Sequence, residues 1–95
     1  MAKIDKQHLT DVAVNLAEIH GYRHVTRDEI ARVSGASQGT VTNYLGTMRQ
    51  IRKLIVRQAI KRDIKSIIAQ AITYGEPQTQ RIPIEERLKA LQSVL

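Results

Sequence analysis

Apolar residues recur at three- and four-residue intervals along most of this chain, in runs separated by glycines, prolines and residues suited to helix caps. Over residues 1–20, Ile4, Leu9, Val12, Ala13, Leu16, Ala17 and Ile19 keep mostly to that spacing, which predicts one amphipathic helix ending at Gly21. Tyr22 and Val25 are expected to fold back onto its core face. A second helix is predicted from Thr26, which makes a capping box with Glu29. There the hydroxyl and the carboxylate each satisfy a backbone N–H at the helix start. Ile30, Ala31 and Val33 form its apolar side, and Ser34-Gly35-Ala36 breaks it, with Gly35 suited to the left-handed conformation of a helix C-cap. Ser37 can cap a third helix whose inward residues are Val41 and Leu45.

From Thr47, another N-cap residue, no glycine or proline occurs until Gly75, so one long helix or two abutting ones are expected. Ile51, Leu54 and Ile55 lie on one side of it, placed to pack on the preceding helices. Ile60, Ile64, Ile67, Ala71 and Tyr74 lie on nearly the opposite side at alternating four- and three-residue steps, the rhythm of a helix seam. Gly75-Glu76-Pro77 ends the helix and a short polar linker runs to Arg81. Pro83 then opens a last helix with a stripe of Ile84, Leu88, Leu91 and Leu95. That stripe is expected to complete the seam, within the chain or across two subunits.

The fold class that follows is all-α. A three-helix domain occupies residues 1–50, and residues 51–95, continuous with it, supply a long helix and a short C-terminal helix that form a bundle. The length allows one domain with a small core.

Composition removes several function classes. There is no Cys, Trp or Phe, and His8, His20 and His24 have no acidic or His partner at metal-ligand spacing, so no metal site and no cofactor is expected. Without a convergent set of His and carboxylates or a phosphate-binding glycine loop, an enzyme is not expected either. No apolar run approaches the ~20 residues of a membrane span and no signal-peptide pattern is present, which points to the cytoplasm. The net charge is +6, and nearly all of it lies in residues 51–75, where six cations face one acid, Asp63. Arg49, Lys53 and Arg57 form a row at four-residue spacing that could run beside a polyanion.

Ala31, Gly35 and Val41 recur at the spacing of a helix-turn-helix: a small residue where two helices cross, a glycine in the turn, an apolar anchor in the second helix. By itself that spacing also fits a plain structural corner. The outward side of the helix after the turn separates the two readings. Gly39 and Asn43 point away from Val41, flanked by Gln38 and Thr42 on one side and by Thr40 and Tyr44 on the other. A merely solvated face would carry Lys and Glu, whereas this one carries short amides and hydroxyls that can lie against base edges, and a glycine that lets backbone approach closely.

The stretch GYRHVTRDEIARVSGASQGTVTNYLGT resembles the N-terminal DNA-binding region of the TetR family of bacterial repressors. The matching positions are Gly21-Tyr22, Thr26, Ile30-Ala31, Gly35-Ala36-Ser37, Gly39-Thr40-Val41 and Thr47, and the likeness covers roughly residues 9–57. The resemblance implies a dimeric repressor bound to double-stranded DNA at a near-palindromic site. It places Thr26 and Tyr44 on phosphates and turns Gln38, Thr40, Thr42 and Asn43 to the major groove. We extend the base-contacting set to Gly39 and the phosphate-contacting set to Arg27, Ser37, Thr47, Arg49 and Lys53. Asn43 is the best placed of these for a bidentate contact to adenine.

A homodimer is expected through a seam of Ile60, Ile64, Ile67, Ala71, Tyr74, Leu88 and Leu91, because pairing two recognition helices across a two-fold axis gains most for a small reader. Family members continue into a larger effector-binding domain. About 45 residues follow the start of the fourth helix here, too few to enclose a ligand pocket of ~300 Å3, so no small-molecule effector is expected. The alternative function is a membrane-surface or protein-interaction module built on the basic amphipathic stretch 51–72.

Overall fold

The computed structural model describes residues 3–94. Among them the regular elements are all helical: α1 (Lys6–His20), α2 (Arg27–Ser34), α3 (Gln38–Leu45), α4 (Met48–Arg62), α5 (Lys65–Thr73) and α6 (Ile84–Gln92), with 3-10 turns at Tyr22–His24 and Pro77–Arg81. The chain divides into two units, one ending at Ile55 and one beginning at Val56. Sequence placed the division at residue 50. The boundary falls further on, inside α4, and so keeps the buried residues Ile51, Leu54 and Ile55 with the first unit.

In the first unit α1, α2 and α3 pack on one another pairwise. α1 starts at Lys6 because Asp5 caps it, its side chain accepting from the His8 N–H at 2.8 Å. Leu9, Val12, Ala13, Leu16 and Ala17 are buried as the spacing predicts, and Val14 joins them. Ile19 does not, at 72 % exposed. It lies in the last turn of α1, at the edge of the stripe that Val12 and Leu16 bury in the turns before it. Tyr22 and Val25 are buried, the first as the largest fully enclosed side chain among the described residues. α2 buries only Ile30 and Ala31. Val33, expected on that side, is exposed because two residues beyond Ala31 a helix has turned about 200°. Gly35 closes α2 in the left-handed region (φ 79°), and its N–H and that of Ala36 both donate to the Ala31 carbonyl.

In the second unit α5 packs on α6 and on the second 3-10 turn. The long apolar stretch after Thr47 is two helices. α4 ends at Asp63, which takes a positive φ of 56°, while the Ile64 N–H reaches back to the Ala59 carbonyl at 2.9 Å. This is a Schellman closure with aspartate where glycine is usual. The break interrupts the heptad rhythm between Ile60 and Ile67. Ile67 and Ala71 are fully buried within the chain, Ile60 and Ile64 are half-buried, and Tyr74 is exposed.

The linker at 77–81 is also more ordered than expected. Buried Thr79 holds it by donating its hydroxyl to the Glu76 carbonyl at 2.7 Å. In α6, Ala90 is buried, whereas Ile84 and Leu88 are exposed and Leu91 is half-buried. Leu95, the last member of the expected stripe, lies outside the described residues.

These burials bear on the interaction-module alternative. Ile51, Ile55, Val56, Ala59, Ile67 and Ile68 are buried, so much of the apolar side of 51–72 is covered within the chain, while Ile60, Ile64 and Ile72 are half-buried. No helix among the described residues is long and apolar enough to cross a membrane, and no group of three or more His, Cys, Asp or Glu among them could hold a metal ion.

Candidate nucleic-acid interface

Helix α3, the second helix of the expected helix-turn-helix, is fixed from three directions. Ser37 caps α3, its Oγ accepting from the Thr40 N–H at 3.1 Å and lying 2.9 Å from the Thr40 hydroxyl. Val41 and Leu45 anchor it in the core at 0 % and 6 % exposure. Two side-chain bonds tie it to the first turn of α2: Arg27 Nη1 donates to Thr42 Oγ1 at 3.2 Å, and Gln38 Nε2 donates to Asp28 Oδ1 at 3.1 Å. The Thr42 hydroxyl in turn donates to the Gln38 carbonyl at 3.0 Å. Sequence carried no sign of these ties, because their partners stand 10 and 15 positions apart on different helices.

What remains on the outside is a shallow polar strip. Gln38, Gly39, Asn43 and Tyr44 are exposed, and Thr40 and Thr42 are half-buried. The Asn43 amide is uncommitted among the described residues. Gly39 sits in ordinary helical backbone, and a Cβ there would meet only the Ser37 Oγ at 3.8 Å. The fold therefore does not demand a glycine at this position, although glycine costs an α-helix stability. Its effect is to leave the strip flat.

The expected phosphate-contacting residues also gather in this unit. Thr26, Ser37, Thr47, Arg49 and Lys53 are exposed with Tyr44, and Arg27 is half-buried. The two flanking helix starts differ electrostatically. Thr26 caps α2, its Oγ1 accepting from the Glu29 N–H at 3.1 Å, but Asp28 and Glu29 already complement that helix dipole. The Glu29 carboxylate does not complete the expected capping box. It turns to His20 Nε2 at 3.3 Å and to Arg32 at 3.9 Å.

The full reciprocal box is at α4. The Gln50 N–H donates to Thr47 Oγ1 at 3.2 Å, and the Thr47 N–H donates to Gln50 Oε1 at 2.8 Å. The signal, Thr47 three before Gln50, was legible but was read only as an N-cap. No acid stands in the first turn of α4, and Arg49 does, so this start offers an anion an unneutralised dipole and a cation together. Gly46 makes the corner before it possible, with φ 87° and ψ −150°, and the Gln50 side chain lies over its Cα.

Comparison with known proteins yields no match: no family model fits the chain, and no curated protein or solved structure is significantly similar to it.

Proposed function

We propose that this protein is a sequence-specific binder of double-stranded DNA that acts as a dimeric transcriptional repressor, inserting α3 into the major groove. The observation that carries the reading is the outward side of α3, an exposed strip of Gln38, Gly39 and Asn43 on a helix whose other side is anchored by Val41 and Leu45. A rigid helix presenting short polar groups and a flat backbone is what base-edge readout requires. Thr47, Arg49 and Lys53 on the adjoining start of α4 supply phosphate contacts that set register, and Tyr44 adds one from α3 itself. The resemblance of residues 9–57 to TetR-family DNA-binding regions supports the same roles. Occupancy of a promoter is sufficient for repression.

A dimer would place two α3 helices about one turn of DNA apart, ~34 Å or a multiple, on a near-palindromic site. Its interface would use apolar side chains left exposed in the second unit, among them Tyr74, the residue after α5, and Ile84 and Leu88 on α6. Ile67 and Ala71 are spent within the chain.

Selection of bound duplexes from a random pool, wild type beside Asn43→Ala, tests the reading. Wild type is expected to enrich a two-fold-symmetric motif, and the mutant to relax it at one position in each half by ~1–3 kcal/mol of discrimination. Enrichment of no motif by the wild type would sink the proposal.

A further inference from the structure

The second unit contains an open cleft of about 590 Å3 bounded by the end of α4, the 3-10 turn and the start of α6. Its lining divides into two kinds. Ile60, Ile82 and Pro83 give it an apolar floor, and Arg57, Lys61 and Arg81 bring three cations to it. None of the three has an acidic partner among the described residues, and two acids of this unit are engaged elsewhere, Asp63 with Lys65 at 2.7 Å and Glu86 with Lys89 at 3.4 Å. Arg57 and Lys61 also stand four apart on one helix, a like-charge spacing that weakens a helix unless an anion lies between them. Three uncompensated cations around apolar surface fit a ligand with an anionic head and a hydrocarbon body.

We propose that this cleft binds a small amphiphilic carboxylate, with the head held by Arg57, Lys61 and Arg81 and the chain laid over Ile60, Ile82 and Pro83. The volume lies within the ~300–1,000 Å3 of small-molecule sites. Sequence argued against a small-molecule effector because the residues after the start of the fourth helix are too few to enclose a pocket. An open cleft needs only three elements, and one of its walls, the 3-10 turn, stands where sequence predicts a polar linker. A phosphate backbone has no use for the apolar floor, which separates this ligand class from DNA. The proposal is independent of the DNA-binding reading.

The test is a titration of the 15N-labelled full chain followed by amide chemical shifts, with straight-chain carboxylates from acetate to decanoate at up to roughly millimolar concentration. Decanoate is expected to give saturable shifts at residues 57–61 and 77–83. Affinity should rise about two- to fourfold per added methylene as chain is buried in a half-open site. Arg57→Gln, Lys61→Gln and Arg81→Gln, all exposed and so tolerated by the fold, should each weaken decanoate about three- to tenfold and flatten its salt dependence. Acetate should produce no comparable shift.

The proposal is overturned if decanoate gives no saturable shift there, or if its shifts map elsewhere. It also fails if acetate or sulfate binds as tightly as decanoate, which would make the cleft a simple anion site. Retention of decanoate affinity by all three glutamine variants would equally refute it. Duplex DNA shifting these residues and expelling decanoate would assign the cleft to the nucleic-acid surface instead.

Discussion

On the proposed reading, replacing Gly39 by alanine should make the protein more stable and a poorer DNA binder, and the two effects can be sized separately. The backbone at Gly39 is helical and a Cβ would meet only the Ser37 Oγ at 3.8 Å, an ordinary contact, so nothing in the free protein resists the methyl. Glycine inside a helix costs roughly 0.5–1 kcal/mol relative to alanine. Gly39 is the second residue of α3, where fewer helical bonds depend on it, so the lower end applies. A gain of about 0.5 kcal/mol corresponds to roughly 2–4 °C in Tm for a domain of this size.

Against DNA the same methyl stands where α3 would approach base edges most closely. Overfilling a close-packed contact costs about 1–3 kcal/mol, or roughly a five- to 150-fold loss of affinity. Circular dichroism melts and fluorescence-anisotropy titration against the selected duplex, with non-specific DNA as control, measure both quantities. Non-specific affinity should hold, because the phosphate contacts are untouched. A stabilised Gly39→Ala protein that binds its selected duplex as tightly as wild type would show that the glycine has no part in close approach, and would remove the main support for α3 as the reading helix.

Gly46→Ala should do the opposite to stability. A side chain there is strained at φ 87° and its Cβ runs into the Gln50 amide, so the cost combines roughly 1–3 kcal/mol of strain with ~1 kcal/mol for disturbing the α4 cap. A urea midpoint lowered by less than about 0.5 kcal/mol equivalent would contradict this. Arg49→Gln should weaken binding to all duplexes alike and lower the slope of log K against log salt by about one unit, and a sequence-dependent loss would assign Arg49 to base contact. Leu88→Asp alters a half-exposed side chain, so the chain should stay folded with a near-unchanged far-ultraviolet spectrum while sedimentation shifts from dimer to monomer. A dimer that survives places the interface elsewhere.

Local signals in the sequence were read well and non-local ones poorly. The Ser37 cap, the left-handed Gly35 and the inward pair Val41 and Leu45 each depend on residues within one helical turn, and each stands as the spacing predicts. The expected seam failed as a continuous feature for a specific reason. Its four-and-three rhythm runs through Ile60–Tyr74 without a glycine, but Asp63 adopts a left-handed conformation that asparagine and aspartate reach at some cost and sequence rarely announces. The phase of the apolar stripe is reset there, and Ile67 and Ala71 turn inward while Tyr74 is left outside. The strip on α3 was legible in outline. The ties that fix its side chains were not, since Arg27 and Thr42 meet only once α2 and α3 have packed.

Those ties determine what each side chain of α3 can still offer a base. A threonine hydroxyl has one proton to donate, and Thr42 gives it to the Gln38 carbonyl while also accepting from Arg27. As a base-edge donor Thr42 is therefore spent, and its remaining readout is the methyl group, suited to apolar contact with thymine. Gln38 keeps more. Its bond to Asp28 uses one amide proton, leaving the other and the oxygen, the two groups a bidentate contact to adenine requires, and the carboxylate limits the rotamers from which they are presented. The Asn43 amide carries no such restraint. It has full hydrogen-bonding capacity but must lose rotamer freedom on binding, whereas Gln38 has lost part of it in advance. Sequence put Asn43 ahead of Gln38 and Thr42, and the available donors and acceptors now separate those two as well. On the proposed reading the polar code rests on Asn43 and Gln38, one flexible and one held, with Thr42 confined to its methyl group.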